Sequence, residues 1–206
     1  MKYLKSKLFV SLFATLLIFG FCMAKPAQTQ AAEVESANMA RWMSICDNMA
    51  SNIEKKHFVY SNSSTKNTYR AAAKKRKRSN CALYVSWCLQ QYGAFKSGQT
   101  IYVRRGSSHI KKNFSRWNKK KVQVIRVNKR ASRVKLKKGD VVLWSSIGHT
   151  NIYAGENSSG DRLWYDAGKS ATYSHHSGSR FENIGKKTQG FLNSKKISYI
   201  IRIKGL

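Results

Sequence analysis

Two cysteines, Cys81 and Cys88, lie seven residues apart in the segment NCALYVSWCLQQYG. Apolar residues recur in this segment at helical spacing, and Ser79 and Asn80 before it are both good helix N-caps. Cys81 therefore falls in the first turn, where unpaired backbone N–H groups and the positive end of the helix dipole stabilise a thiolate. Cys81 is the predicted nucleophile, with a buried core thiol as the alternative, and Cys88 is predicted to pack in the core.

A nucleophilic cysteine needs a nearby base. His149 follows the turn sequence SSIG and opens the apolar segment HTNIYAG, so the edge of a sheet can hold its imidazole toward a cleft. His109, His175 and His176 instead lie in segments of loop composition. His149 is therefore the predicted base.

A third group should orient the imidazole, and Asp166 in RLWYDAG is the candidate. If the hairpin turn is centred between Asn157 and Ser158, Asp166 lies directly opposite His149, with Cβ atoms about 5 Å apart. A shift of one residue would turn Asp166 to the other face of the sheet. An ordinary salt-bridging aspartate is the alternative.

The order of the predicted elements indicates an α+β domain. Apolar residues between positions 34 and 56 recur at helical spacing, and a second helix is predicted over 81–92, ending at Gly93. Short β-branched and aromatic runs then alternate with turn compositions; the predicted strands are 122–127, 140–144, 149–155, 162–168 and 197–204. Helices followed by consecutive antiparallel strands predict N-terminal helices packed on a small antiparallel sheet.

The chain is strongly basic: 39 Lys and Arg residues face 9 Asp and Glu residues, for a net charge of +30. Such an excess implies anionic surroundings, such as a wall that carries teichoic acid, nucleic acid or anionic lipid. One dense cluster ends the segment 57–79, which lacks periodicity; it consists of Lys74, Lys75, Arg76, Lys77 and Arg78. The cluster is either an exposed loop or a contact for a polyanion.

Residues 1–31 have the layout of a secretory signal peptide, with lysines, a short apolar run and small residues at Ala31 and Ala32, near which we expect cleavage. The apolar run is short for a membrane span. Residues 32–206 are then expected to be a single domain of net charge +26, because only four lysines are removed. We expect a secreted protein, extracellular or associated with the cell wall. A lipid anchor on Cys22 is the rival interpretation.

The cysteine count argues against a disulfide framework. Beyond the leader the cysteines are Cys46, Cys81 and Cys88, and an odd number leaves at least one thiol unpaired within the chain. On one helix, Cys81 and Cys88 lie about 10 Å apart, beyond disulfide reach. Cys46 and Cys88 either pair, if their helices pack together, or remain reduced. The scattered His and Cys residues lack zinc-ligand spacing, so we expect neither a metal nor a cofactor.

The segments NCALYVSWCLQQYG, LKKGDVVLWSSIGHTNIYAG and WYDAG resemble the core of the NlpC/P60 and CHAP cysteine peptidases. In those families a cysteine opens a helix, a GD strand precedes an H-x-x-I-Y-x-G strand, and a polar residue follows on the next strand. The resemblance spans about residues 60–166. It implies a papain-like fold in which Cys81 is the nucleophile, His149 the base and Asp166 the orienting group.

The same resemblance suggests that Tyr60, in HFVYS, assists the oxyanion. Two features depart from the NlpC/P60 pattern: NCAL replaces the usual DCSG, and Asp166 stands where histidine is common. The C-x-x-Y-V that begins at Cys81 is nearer to CHAP.

The function that the resemblance implies is a cysteine peptidase or amidase that hydrolyses peptide or amide bonds of bacterial peptidoglycan. Its expected partners are peptidoglycan and anionic wall polymers such as teichoic acid, without specific nucleic acid recognition, and we expect a monomer. The alternative is a non-catalytic cationic protein that binds wall polymers or other polyanions on a peptidase-like scaffold.

Overall fold

The structure is a computed structural model that describes residues 27–62, 66–103, 114, 117–144, 146–168 and 181–206. The chain divides into two compact units, residues 1–37 and residues 38–206. Most of the predicted leader and His109, His175 and His176 lie outside the described residues. In the described part of the chain, no helix combines the length and the apolar character needed to cross a membrane.

The described residues form three α-helices, two short 3-10 helices and eight strands. The α-helices are α1 (Ala27–Lys55), α2 (Tyr69–Lys75) and α3 (Cys81–Tyr92), and the 3-10 helices are Ala131–Arg133 and Gly190–Ser194. The strands are β1 (Val59–Tyr60), β2 (Arg78–Ser79), β3 (Val122–Arg130), β4 (Val141–Trp144), β5 (His149–Glu156), β6 (Arg162–Gly168), β7 (Asn183–Thr188) and β8 (Lys196–Ile203).

Strands β3 to β8 form one antiparallel sheet in the order β3-β8-β4-β5-β6-β7. Strands β4 to β7 follow one another as hairpins, whereas the C-terminal strand β8 inserts between β3 and β4. β1 and β2 form a separate parallel pair. The predicted α+β class, with helices before an antiparallel sheet, is confirmed.

The two faces of the sheet belong to two hydrophobic clusters. On one face, Ile152 and Tyr165 pack with buried residues of α1 and α3. On the other face, Tyr153 and Trp164 pack with Leu192 of the 3-10 helix Gly190–Ser194. Neighbouring residues of β5 and of β6 thus point to opposite faces, as the pleat of a strand requires.

The predicted helix over 81–92 is confirmed, and both of its ends are capped. Asn80 has an extended backbone, and its Oδ1 accepts a hydrogen bond from the Leu83 N–H at 3.0 Å. Gly93 ends the helix in the left-handed conformation, with φ of 88°, and its N–H donates to the Gln90 carbonyl at 3.1 Å. The caps place Cys81 at the first position of the helix.

The turn LKKGD fixes the start of β4. Gly139 has φ of 91°, and a Cβ at this position would lie 3.2 Å from Trp42 Cδ1, so a side chain would be both strained and crowded. Asp140 is buried and accepts hydrogen bonds from Nε and Nη2 of Arg202, both at 2.7 Å. The glycine and aspartate of this motif are therefore structural: they hold β4, on which β5 pairs.

Among the α-helices and strands, the sequence patterns do not predict four: α2, β1, β2 and β7. Residues 57–79, which lack periodicity, contain β1, β2 and α2, whose cap is Thr68. Strand β7 has the sequence NIGKKT, in which apolar alternation is absent, as is common for a lysine-bearing edge strand. The first helix begins at Ala27, earlier than the apolar spacing from position 34 indicates.

Candidate active site

Cys81 is largely buried, with 7% of its surface exposed, at the start of α3. The side chain of Asn80 accepts from the Leu83 N–H, and its carbonyl accepts from the Tyr84 N–H at 2.9 Å. Among the described residues, none accepts a hydrogen bond from the backbone N–H of Cys81 or Ala82. These two donors are available beside the thiol, at the positive end of the helix.

His149 is the first residue of β5, and its imidazole contacts both Asp166 and Cys81. Its Nε2 lies 3.1 Å from Asp166 Oδ2, and its side chain is near enough to the Cys81 thiol for that group to raise the pKa of the imidazole. Because Nε2 faces the carboxylate, Nδ1 is the nitrogen left for the thiol. Burial alone lowers the pKa of His149, but the charges of Asp166 and Cys81 and the hydrogen bonds with both raise it well above its usual value. The protonated imidazolium is therefore favoured at neutral pH.

Asp166 is 2% exposed and accepts hydrogen bonds on both carboxylate oxygens. Its Oδ1 accepts from the backbone N–H of Ala167 at 2.7 Å. Its Oδ2 accepts from Nε2 of Gln189 at 2.6 Å and also faces Nε2 of His149. The carboxylate is thus held in one orientation, with one oxygen directed at the imidazole.

The prediction that Asp166 lies directly opposite His149 is wrong. Ile152 pairs with Tyr165, so Asp166 lies opposite Asn151, and His149 is displaced from that position by two residues. Because side chains alternate with period 2, a displacement of two residues leaves His149 and Asp166 on the same face as diagonal neighbours. The imidazole spans this diagonal, and the predicted contact is made.

A bulge in β5 keeps the two residues on one face. Next to the turn, Gly155 pairs with Leu163, and this register, if continued, would turn Asp166 away from the face of His149. The register shifts by one residue between Tyr153 and Gly155, where Gly155 has φ of 100°. The extra residue restores the side-chain alternation that the site requires.

Gly168, the last residue of β6, leaves room for the imidazole. A Cβ at this position would lie 3.3 Å from both His149 Cε1 and Asp166 Oδ1. Both distances are tighter than ordinary van der Waals contact, so a side chain here would push the ring or the carboxylate away. The glycine of WYDAG therefore has a steric role in the site.

Tyr60 lies close to the thiol because β1 pairs with β2, which sets Tyr60 beside Ser79, two residues before Cys81. Its hydroxyl donates to Oδ1 of Asn62 at 3.0 Å, and its ring packs edge-on against Phe181. Burial and then the negative charge of Cys81 raise the pKa of Tyr60. The phenol therefore remains a protonated donor next to the candidate nucleophile.

The basic cluster of residues 74–78 does not form a loop throughout. Lys74 and Lys75 end α2, Arg78 lies in β2, and the N–H of Lys77 donates to the Ala72 carbonyl at 3.0 Å. The side chains from Lys74 to Lys77 are exposed, whereas Arg78 is half-buried. The cluster has a defined backbone and precedes Cys81 by only a few residues.

A second basic surface lies along the edge strand β3, the residues just before it and the connection to β4. We call this surface the β3 basic edge. Its exposed residues are Lys119, Lys120, Lys121, Arg126, Lys129, Arg130, Arg133, Lys135, Lys137 and Lys138. The sequence from 119 to 138 contains no acidic residue. Arg162 fixes the connection by donating to the carbonyls of Ala131 and Val134, at 2.7 and 3.0 Å.

Cys46 and Cys88 are free, buried thiols in this structure, as is Cys81. Burial, the hydrogen bond with Cys88 and the charge of Cys88 all raise the pKa of Cys46. Cys46 therefore stays protonated and packs against Cys88 between α1 and α3. The structure therefore contains no disulfide bond between Cys46 and Cys88.

Sequence reasoning missed Gln189, which follows β7 and contacts Asp166. No motif or periodicity around GKKTQGFLN indicates such a role, because the contact depends on the long-range pairing of β7 with β6. Among the described residues, no group of three or more His, Cys, Asp or Glu side chains is placed to hold a metal ion.

Searches of family models, curated proteins and solved structures gave no match to this chain.

Proposed function

We propose that the protein is a cysteine hydrolase in which Cys81 is the nucleophile, His149 the proton carrier and Asp166 the group that orients it. The observation that carries this proposal is the imidazole contacting a thiol on one side and a buried carboxylate on the other. Structural ion pairs also perturb histidines, but they require neither a thiol at a helix start nor free N–H groups beside it.

The site is of the NlpC/P60–CHAP type, and the domain is papain-like. This assignment is supported by the order of elements, with a helix that opens at Cys81, a GD turn, a strand that opens at His149 and a strand that carries Asp166. The substrate class that follows from the resemblance is the peptide or amide bonds of peptidoglycan. The protein acts outside the cell, after removal of the leader of residues 1–31.

The proposed reaction is acyl transfer through a thioester. The Cys81 thiolate attacks the carbonyl carbon, and the imidazolium of His149 gives its proton to the leaving amine. Neutral His149 then takes a proton from water, which attacks the thioester and releases Cys81. The raised pKa of His149 favours the imidazolium that the first step needs.

The oxyanion of each tetrahedral intermediate is stabilised by hydrogen-bond donors near the thiol. The backbone N–H of Cys81 is one such donor, because no described residue accepts from it. The hydroxyl of Tyr60 is the second, provided that it turns from Asn62, its present acceptor at 3.0 Å. Since the pKa of Tyr60 is raised, the hydroxyl keeps the proton that it must donate.

The anionic partner that the charge indicates is a wall polymer such as teichoic acid. The cluster of residues 74–78 lies next to the catalytic residues in the chain, and the β3 basic edge adds ten exposed cations without an acid. Attachment of this kind depends on many weak ionic contacts and weakens steeply with salt. The protein acts as a monomer.

The test of the proposed function is the release of new amines from purified peptidoglycan, followed by mass spectrometry of the fragments. Wild-type protein should release amines and define the bond, and Cys81→Ala protein of equal stability should release none. Equal amine release by the two proteins would refute the proposal.

A second candidate function, a non-catalytic polyanion-binding protein, is favoured by the net charge of +30. In that case wall binding would remain when hydrolysis is undetectable in both wild-type and Cys81→Ala protein. Binding to walls before and after removal of teichoic acid, at low and high salt, identifies the polymer that is bound.

A further inference from the structure

The buried carboxylate of Asp166 receives a hydrogen bond from a residue outside the hairpin that carries the site. Nε2 of Gln189 lies 2.6 Å from Asp166 Oδ2, the same oxygen that faces His149 Nε2 at 3.1 Å. Gln189 is itself 6% exposed. The donor is therefore a buried amide directed at the oxygen that holds the imidazole.

The segment around Gln189 is anchored independently of His149. Gln189 caps the 3-10 helix Gly190–Ser194, and the N–H of Leu192 donates to the Gln189 carbonyl at 3.0 Å. Leu192 is fully buried in the cluster that contains Tyr153 and Trp164. This packing anchors the segment that carries the amide on the face of the sheet where Tyr153 and Trp164 lie.

The hydrogen bonding of Gln189 is one-sided. Its Nε2 donates to Asp166, but its Oε1 is buried and has no hydrogen-bond partner among the described residues. An unpartnered buried carbonyl oxygen is energetically unfavourable. An apolar side chain could fill the same space without leaving a carbonyl oxygen unpartnered. The feature that only glutamine supplies here is its hydrogen bond to Asp166.

We propose that Gln189 is a positioning residue that holds the Asp166 carboxylate in the orientation in which Oδ2 contacts His149. The inference rests on the proposed function insofar as Asp166 and His149 belong to a catalytic site. Oδ1 is already held by the Ala167 N–H, so Gln189 fixes the second oxygen and stops rotation of the carboxylate about its own axis. The two donors together leave His149 as the remaining partner of Oδ2.

A titration of His149 tests this role without requiring activity. The groups that act on His149 are Asp166 and Cys81, and Tyr60 faces both of them. In Gln189→Met protein, which keeps the side-chain length but loses the donor, we expect the pKa of His149 to fall by about half a unit to one unit. NMR of labelled histidine, assigned with the His149→Ala spectrum, measures the shift. Gln123→Met, on the exposed edge strand β3, is the matched control and should leave it unchanged.

Kinetics provide the second measurement. If amine release by the wild-type protein is established, Gln189→Met should lower kcat about three- to tenfold and leave KM unchanged, because the amide touches no substrate. An unchanged or raised pKa of His149 in a folded Gln189→Met protein would overturn the inference, whatever the activity. A lowered pKa in a protein that hydrolyses nothing would support the positioning role and refute the proposed function alone.

Discussion

Cys81 and Cys88 occupy one helix and are both buried, yet they differ in their position along the helix and in the charged groups beside them. Cys88 lies in the third turn, has no exposed surface and packs against the protonated thiol of Cys46. Cys81 lies at the helix start, beside N–H groups for which no described residue is an acceptor, and beside the imidazole of His149. The comparison teaches that the position in the helix and the neighbouring charges, rather than burial, separate a candidate nucleophile from a packing residue.

The largest expected difference between the two positions is in activity. Cys81→Ala should lower the hydrolysis of purified peptidoglycan at least about 1,000-fold, because it removes the nucleophile. Cys88→Ala leaves His149 and Asp166 in place and should keep turnover within a few-fold of wild type. Amine release from walls measures both variants. An inactive Cys88→Ala protein would contradict the view that Cys81 is the nucleophile and Cys88 a packing residue.

The second difference concerns the base. His149→Ala should lower turnover by about 100- to 10,000-fold, because it removes the group that transfers the proton. It should also slow the alkylation of Cys81 by iodoacetamide near neutral pH, since the imidazolium that stabilises the thiolate is lost. Peptide mapping of the labelled protein identifies the cysteine that reacts. In wild-type protein Cys81 should be labelled first, and earlier labelling of Cys46 or Cys88 would contradict this view of the helix start.

The elements with strong local signals could be predicted from the sequence. The bounds of α3 follow from Asn80 and Gly93, since each of these caps contacts residues only a few positions away in the chain. The contact between His149 and Asp166 is predicted from a register that is wrong by two residues. It is still made, because a shift of two residues leaves both side chains on the same face of the sheet. The bulge between Tyr153 and Gly155 leaves no clear pattern in the sequence.

The contacts made by residues distant in the chain could not be predicted. Gln189 contacts Asp166 in a fold where the edge strand β7 pairs antiparallel with β6, and no local pattern encodes that pairing. Tyr60 was identified by resemblance, whereas its place beside Cys81 depends on the two-residue strands β1 and β2. Strands this short have too few residues to show a period.

A smaller effect is expected at Asp166, whose charge is the chief reason that the pKa of His149 is raised against burial. Asp166→Asn keeps an acceptor oxygen but removes that charge, so the pKa of His149 should fall. Because the leaving amine needs protonated His149, the alkaline limb of the pH–rate profile should move to lower pH. Turnover should fall about 10- to 100-fold, less than in His149→Ala.

Asp166→Ala removes both the charge and the orienting oxygen, whereas Asp166→Asn removes only the charge. Comparing the two variants therefore separates the effect of orientation from that of charge. It should be slower than Asp166→Asn and still faster than His149→Ala, since Cys81 and His149 remain. The pH–rate profiles of the three variants, measured on one peptidoglycan preparation, give this order. Replacing His175 and His176 together with Ala should change little. If that double change abolishes turnover and Asp166→Ala is silent, a histidine of the SHHS segment must replace Asp166 in the triad.

The smallest expected effect is on stability, measured by replacing each of the two cysteines with serine. Cys88→Ser places a hydroxyl inside the hydrophobic cluster beside the Cys46 thiol, so it should lower the free energy of unfolding by about 1–3 kcal/mol. Cys81→Ser places the same hydroxyl beside His149, which can hydrogen-bond with it, and should cost less than about 1 kcal/mol. Urea unfolding of both variants and wild type, with equal slopes, measures the difference. A larger loss at Cys81 than at Cys88 would mean that the helix start, and not its third turn, is the part of α3 on which the fold depends.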